Sequence, residues 1–273
     1  MSAAPPETRF GAAFAARAEA ASPGLIPYFT AGYPHRDSLA ELLLCAQRTG
    51  CIAAEVGIPF SDPLADGPTV QRAGQVALGN GMTLAGALTQ VHDARQSGVT
   101  IPLAVMTYVN PVLSVGLSEF ARLAAANGVD GVILPDLPLD ESADVRRAMH
   151  TAGVAVIPMV APTTPRDRLA RICATASGFV YCVGVTGVTG ARRTIADEAM
   201  VLLDSVGRVT SLPRAIGFGL STHQHLTALR GHAEAAVVGS ALLDRIGEEP
   251  DRASAAAEGF LNAMIGNETA RAG

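Results

Sequence analysis

The sequence predicts an α/β fold of the closed (β/α)8 type, a TIM barrel with an extra N-terminal helix. Three observations predict it. Short apolar runs alternate with longer helical segments, the alternation repeats eight times, and the 273-residue chain matches the roughly 250 residues usual for such barrels. Strand followed by helix, repeated, implies parallel strands joined by right-handed crossovers. The chain is 49% hydrophobic and 16% charged, against about 25% charged on average, so much of it must be buried.

The apolar runs lie at 25–30 (LIPYFT), 52–58 (IAAEVGI), 101–107 (IPLAVMT), 129–134 (VDGVIL), 154–160 (VAVIPMV), 179–183 (FVYCV), 213–217 (PRAIG) and 235–239 (AAVVG). Helical spacing marks the segments between them: Leu39, Leu42, Leu43 and Ala46; Phe120, Leu123 and Ala124; Leu169, Ile172 and Cys173. A helix near 9–21 precedes the first strand and is placed to cover the barrel's lower end. Thr164-Pro165 offers an N-cap followed by proline at the first helical position. Ser221-Thr222-His223-Gln224 matches a capping box. No linker or composition shift divides the chain, which reads as one domain over 1–273 with a frayed tail near 266–273.

The net charge is −5, which argues against a nucleic-acid partner. No apolar run approaches the roughly 18–20 residues that span a bilayer. The start, MSAAPPETRF, lacks the basic and apolar regions of a secretion signal. Cys45, Cys51, Cys173 and Cys182 show no CxxC spacing and sit in apolar surroundings, as buried thiols of a cytoplasmic protein do. All 20 basic residues other than histidine are arginine. Without lysine, Schiff-base aldolase chemistry and covalent pyridoxal phosphate binding are excluded for this chain.

Chemistry in such a barrel sits at the C-terminal ends of the strands. Glu55 lies inside the second apolar run, and Asp62 and Asp66 follow in the loop that leaves from its end. Glu55 reads either as a buried acid paired with an arginine or backbone amides, or as a catalytic acid/base. Unpaired burial is costly, and Ile52, Val56, Ile58 and the barrel interior should raise its pKa. Asp62 and Asp66 are also ordinary turn formers. A second carboxylate beside Glu55 would still divide the roles, one group ionised and one protonatable.

Glycines mark the ends of the last three runs: VGVTGVTGAR (183–192), GFGLS (217–221) and VGSALL (238–243). Glycine admits a phosphate close to backbone N–H groups at helix starts. The loops after the seventh and eighth strands are the usual place for it, although glycines also serve as plain turn residues. His223 and His225 are two apart and do not share a helix face, so no metal site is expected. Asn110-Pro111 and Pro135-Asp136-Leu137-Pro138 shape the rim.

The stretch EVGIPFSDPLADGP resembles the signature of the tryptophan synthase alpha chain family. PYFTAGYP (27–34), MTYVNP (106–111), GVDGVILPDLP (128–138), GVTGAR (187–192), GFGLS and VGSA match in order, from about residue 9 onward. The resemblance implies a (β/α)8 barrel that splits indole-3-glycerol phosphate into indole and glyceraldehyde 3-phosphate. It also implies a pyridoxal-phosphate beta chain as partner in an α2β2 heterotetramer, serving L-tryptophan biosynthesis. By motif position, Glu55 resembles the family's acid/base, Asp66 the carboxylate that holds the indole N–H, and Tyr181 the aromatic beside the glutamate. Thr189 and Gly190 resemble the closing loop that orients Asp66. Tyr28 and Phe218 resemble the indole pocket. Gly219, Gly239 and Ser240 resemble the phosphate site. Asp62, Pro63 and Asn110 fall where the family's rim faces the beta chain. The chain departs from many members at Gly184, where serine is common, and from some at Val185, where arginine stands.

The chemistry agrees with the residues. A retro-aldol split of a 3-substituted indole needs C3 protonated, the side-chain hydroxyl deprotonated and charge on the ring nitrogen stabilised. A buried glutamate shuttles the first two protons and an ionised aspartate suits the third requirement. No metal, lysine or organic cofactor is required. Three other readings share parts of the pattern: a free-standing lyase that releases indole, a barrel kept only as a binding or activating partner, and a sugar-phosphate isomerase or epimerase. The set Glu55, Asp66 and Tyr181 argues against the second. The Tyr28/Phe218 pocket and the Asp66 loop argue against the third.

Overall fold

The computed structural model describes residues 9–17, 22–184, 197–217 and 219–267. Among the described residues, nine strands form one sheet: β1 Gly24–Thr30, β2 Ala54–Gly57, β3 Leu103–Met106, β4 Gly131–Ile133, β5 Ala155–Val156, β6 Met159–Val160, β7 Val180–Val183, β8 Arg214–Gly217 and β9 Ala235–Val238. They run in the order β5-β4-β3-β2-β1-β9-β8-β7-β6, and every pairing is parallel.

The two end strands of that order are consecutive in the chain. They are halves of the fifth apolar run, which changes partner at Ile157-Pro158. The Ile157 N–H donates to Val132 O at 2.9 Å, and Pro158 O accepts the Tyr181 N–H at 3.0 Å. Proline has no N–H to give a ladder, yet its carbonyl carries the pairing across. The sheet therefore closes through 155–160 into the expected barrel, with the fifth of its eight positions divided.

Side chains alternate between the two faces of a strand. Val56 and Ile58 join the large core between sheet and helices. Ile26, Ala53, Ala104, Ile133, Ile157, Phe179, Ala215, Ala235 and Val237 form a separate core inside the barrel. Glu55 shares the inward parity of Ala53. Val56 and Ile58 therefore do not surround its carboxyl as expected, and the barrel interior alone does.

The helix Arg9–Ala15 covers the N-terminal end of the barrel, as its place before β1 suggested. Phe10 and Phe14 rest on Phe179, with ring centroids 5.4 and 5.8 Å away. Burying one such side chain stabilises by roughly 1.5–3 kcal/mol. Arg9 reaches Asp130 at 3.4 Å, and Asp130 also pairs with Arg95 at 2.6 Å.

The three periodic segments are helices Leu39–Arg48, Leu117–Ala126 and Arg166–Ala174. Between β2 and β3 the chain makes two helices, Pro68–Gly79 and Leu84–Gln96. Two helix starts sit one residue from their expected places. Pro165 is itself the N-cap of Arg166–Ala174, and the Thr164 hydroxyl accepts the Ala161 N–H instead. The N-cap is Thr222, not Ser221, and its hydroxyl accepts the His225 N–H, while the His225 ring bonds the Ser221 N–H, so the expected capping box is not the one formed. Among the described residues, no helix is long and apolar enough to cross a membrane.

Candidate active site

Glu55 stands in β2 opposite Tyr28 of β1. Its side chain is 1% exposed, and Oε1 has no hydrogen-bond partner among the described residues. No arginine pairs with it among those residues, so the buried-ion-pair reading fails. Burial, and secondarily the Asp66 carboxylate, push its pKa up to about 8. At neutral pH the carboxyl is chiefly protonated, which explains how an acid is tolerated inside a strand.

Asp66 enters from the loop after β2. Burial raises its pKa to about 6, while hydrogen bonding to the Tyr108 hydroxyl holds it lower than burial alone would. The two carboxyls thus divide at pH 7 into one protonated and one ionised group, the separation that acid–base sites need. Gln71 Nε2 donates to Asp66 O at 2.9 Å and ties the loop to the helix Pro68–Gly79.

Two tyrosines flank the pair. Burial raises the pKa of both Tyr28 and Tyr181 well above the usual phenol value. Each hydroxyl sits where a neighbouring glycine leaves room: a Cβ on Gly57 would lie 1.9 Å from the Tyr28 oxygen, and one on Gly217 would lie 2.0 Å from the Tyr181 oxygen. Glycine at these two strand ends is a packing requirement.

Tyr108, just beyond β3 within MTYVNP, belongs to the site although the sequence alone does not single it out. Its hydroxyl accepts the Ala65 N–H at 3.1 Å, and its ring lies 5.5 Å from that of Phe60. An aromatic residue at a strand's C-terminal end was the available signal. Asp136 accepts the Val109 N–H through both oxygens, at 3.0 and 3.1 Å, and so fixes the helix Val109–Val115.

On the same rim, Gly219 is exposed with φ +66°, a left-handed conformation that favours glycine. Gly239 is the N-cap of the helix Ser240–Glu248, and Ser240 opens that helix on the surface. The Leu243 N–H is the first to bond back, to Gly239 O, so the preceding amides of this turn make no intrahelical bond.

Asp62 and Asn110 are exposed and Pro63 half-buried. Leu64 beside them is 90% exposed, and Leu113 on the Asn110 helix is 56% exposed. Thr189, Gly190 and Phe218 lie outside the described residues. His223 and His225 hold different partners, Met264 O at 2.9 Å and the Ser221 N–H at 3.2 Å.

A (β/α)8 barrel that brings a buried glutamate and a half-buried aspartate to one C-terminal mouth has the make-up of an acid–base barrel enzyme. Residues 14–270 match the family described as tryptophan synthase alpha chain, and the chain belongs to that family. The alpha chain of Roseiflexus castenholzii is 43% identical over 260 residues, covering 95% of this chain and 100% of that protein. That of Chloroflexus aggregans is 47% identical over 222 residues, covering 81% and 83%. A chain of the Pyrococcus furiosus tryptophan synthase α2β2 complex, described as mutually activating, superposes with TM-score 0.85 at 37% identity, covering 90% of this chain and 99% of that one. A chain of Mycobacterium tuberculosis tryptophan synthase gives TM-score 0.87 at 32% identity, covering 95% and 98%.

Proposed function

We infer that this chain cleaves indole-3-glycerol phosphate to indole and glyceraldehyde 3-phosphate, as the alpha subunit of an α2β2 tryptophan synthase in L-tryptophan biosynthesis. The observation that carries this reading is the pairing of two carboxyls at one barrel mouth: Glu55, buried in β2 with no partner for Oε1 among the described residues, and Asp66, hydrogen-bonded to Tyr108.

The protonation states fit the order of steps. Glu55 gives its proton to indole C3, and positive charge develops on the ring nitrogen. Asp66 accepts the indole N–H and stabilises that charge in a site where water is scarce. The glutamate, now a carboxylate, takes the proton of the side-chain hydroxyl. The C–C bond breaks, the aldehyde forms, and the bond electrons restore the indole ring. Glu55 ends protonated, ready for the next turnover. Tyr28 and Tyr181 wall the ring, with Phe218 as the further pocket residue, and Thr189 and Gly190 belong to the loop that closes over substrate.

The amides around Gly219, Gly239 and Ser240 hold the phosphate. The chain has no lysine to do so, and a helix N-terminus supplies amide donors and a favourable dipole. Asp62, Pro63 and Asn110 meet the beta chain. The exposed Leu64 and Leu113 support a docked partner over a free-standing lyase, because they add apolar area where interface cores are apolar. We read the protein as one domain acting in the cytoplasm.

Cleavage of indole-3-glycerol phosphate, followed by indole release from the chain alone and with a beta chain added, tests the function. The expected result is slow cleavage alone and faster cleavage with the partner. Full activity that ignores the beta chain favours the free-standing lyase, and no cleavage in either case removes the reading.

A further inference from the structure

We propose that His225 is a positioning residue for phosphate binding, holding the loop that carries Gly219 through an acceptor nitrogen. This rests on the reading that the Gly219 amide meets the substrate phosphate.

His225 is 5% exposed, although it lies on a short helix near the surface. Its Nδ1 accepts the Ser221 backbone N–H at 3.2 Å. A backbone N–H can only donate, so Nδ1 must present a lone pair and the proton of the neutral ring sits on Nε2. In return, the Thr222 hydroxyl accepts the His225 N–H at 3.3 Å. An ordinary capping box reaches back to the N-cap N–H. Here the imidazole reaches one residue further, past Thr222 and into the loop itself.

That extra residue matters for the site. Gly219 lies two positions before Ser221 and is exposed with φ +66°. Glycine in that conformation has no side chain to fix it, so its amide direction must be set by its neighbours. Leu220, buried in the core, anchors one side of the segment. The Ser221 N–H held by His225 anchors the next peptide. His225 touches no reacting atom under this account and serves only to aim a donor.

The test compares His225→Leu and His225→Asn, reading the dissociation constant of glycerol 3-phosphate and the KM and kcat of cleavage. Asparagine places its Oδ1 where Nδ1 stands and keeps the acceptor, and leucine removes it. His225→Leu is expected to weaken glycerol 3-phosphate and raise KM by about three- to tenfold, the worth of one hydrogen bond. Its kcat should stay near the parent value, since uniform binding is what is lost. His225→Asn should bind nearly as the parent does. His225→Met, whose flexible side chain fills irregular space, is the second acceptor-free variant should leucine not fold. Parent-like binding in the Leu or Met variant, or equal loss in Asn, overturns the proposal. Ser240→Asp serves as the control: an acid suits a helix start but repels phosphate. If it leaves glycerol 3-phosphate binding intact, the phosphate reading falls and the proposal with it. If it weakens binding while Leu and Met do not, the proposal alone fails.

Discussion

Tyr108 holds the backbone of Ala65, its hydroxyl accepting the Ala65 N–H at 3.1 Å, and so fixes the residue next to Asp66. The same hydroxyl hydrogen-bonds the Asp66 carboxylate and lowers its pKa. One side chain thus sets both the position and the charge of the proposed indole N–H acceptor. Tyr108→Phe keeps the ring stacked near Phe60 but loses both contacts. The Asp66 pKa should rise above about 6, leaving less carboxylate at neutral pH. We expect kcat/KM to fall by about tenfold, in line with losing a charge-assisted hydrogen bond, with the acid limb of its pH profile moved upward.

The parent protein should show a bell-shaped profile of kcat/KM. Asp66 must be ionised and Glu55 protonated, so activity should fall as pH drops below about 6 and as it rises past about 8. Each group raises the other's cost of ionising, so the two limbs belong to the pair. Asp66→Asn removes the charge that helps raise the Glu55 pKa, and should move the basic limb downward as well as slow cleavage. A flat profile from pH 5 to 9 would contradict both assignments.

Stability should carry the mark of the same burial. The folded-state pKa of Glu55 is raised from the ordinary 4.5 to about 8, so the folded chain keeps a proton that the unfolded chain has lost. Its contribution is fully present below pH 4.5 and is lost as pH rises towards 8. The slope is at most about 1.4 kcal/mol per pH unit. Glu55→Gln has no such proton. Denaturant unfolding should therefore show the variant gaining stability relative to the parent as pH rises from 5 to 8. A constant difference would mean that Glu55 is not desolvated.

Gly57→Ala should disturb the site through Tyr28. The added Cβ would lie 1.9 Å from the tyrosine oxygen and 2.4 Å from Cζ, so the ring must move. We expect a loss of kcat/KM of about ten- to a hundredfold, the scale of a misplacement near 1 Å. Tyr28→Phe removes the nearest atom, so the double variant should lose less than the two single losses combined. Strict additivity would contradict the contact.

Much of this was legible in the sequence because barrels repeat one pattern. The strand positions, the inward acid at residue 55 and the glycine-ended late strands all follow from period-two burial and breaker placement. The division of the fifth strand was not legible, because proline in an apolar run does not reveal that its carbonyl keeps the ladder. The surroundings of Glu55 were misread for a related reason: Val56 and Ile58 are neighbours in sequence but face the other side of the sheet. The sequence does not single out Tyr108, and it offers His225 only as half of a poor metal pair, because the importance of both comes from what their polar atoms reach in the folded chain. Asp66's half-buried setting likewise depends on contacts made by a distant strand end.

The most direct test is the rate of indole-3-glycerol phosphate cleavage by Glu55→Gln, measured with the beta chain present. Glutamine matches the shape of the protonated acid but cannot exchange a proton. The account predicts a folded protein that still binds substrate and loses about 10²–10⁴ or more in kcat, the range for a positioned acid/base. Near-parent turnover by this variant would contradict it.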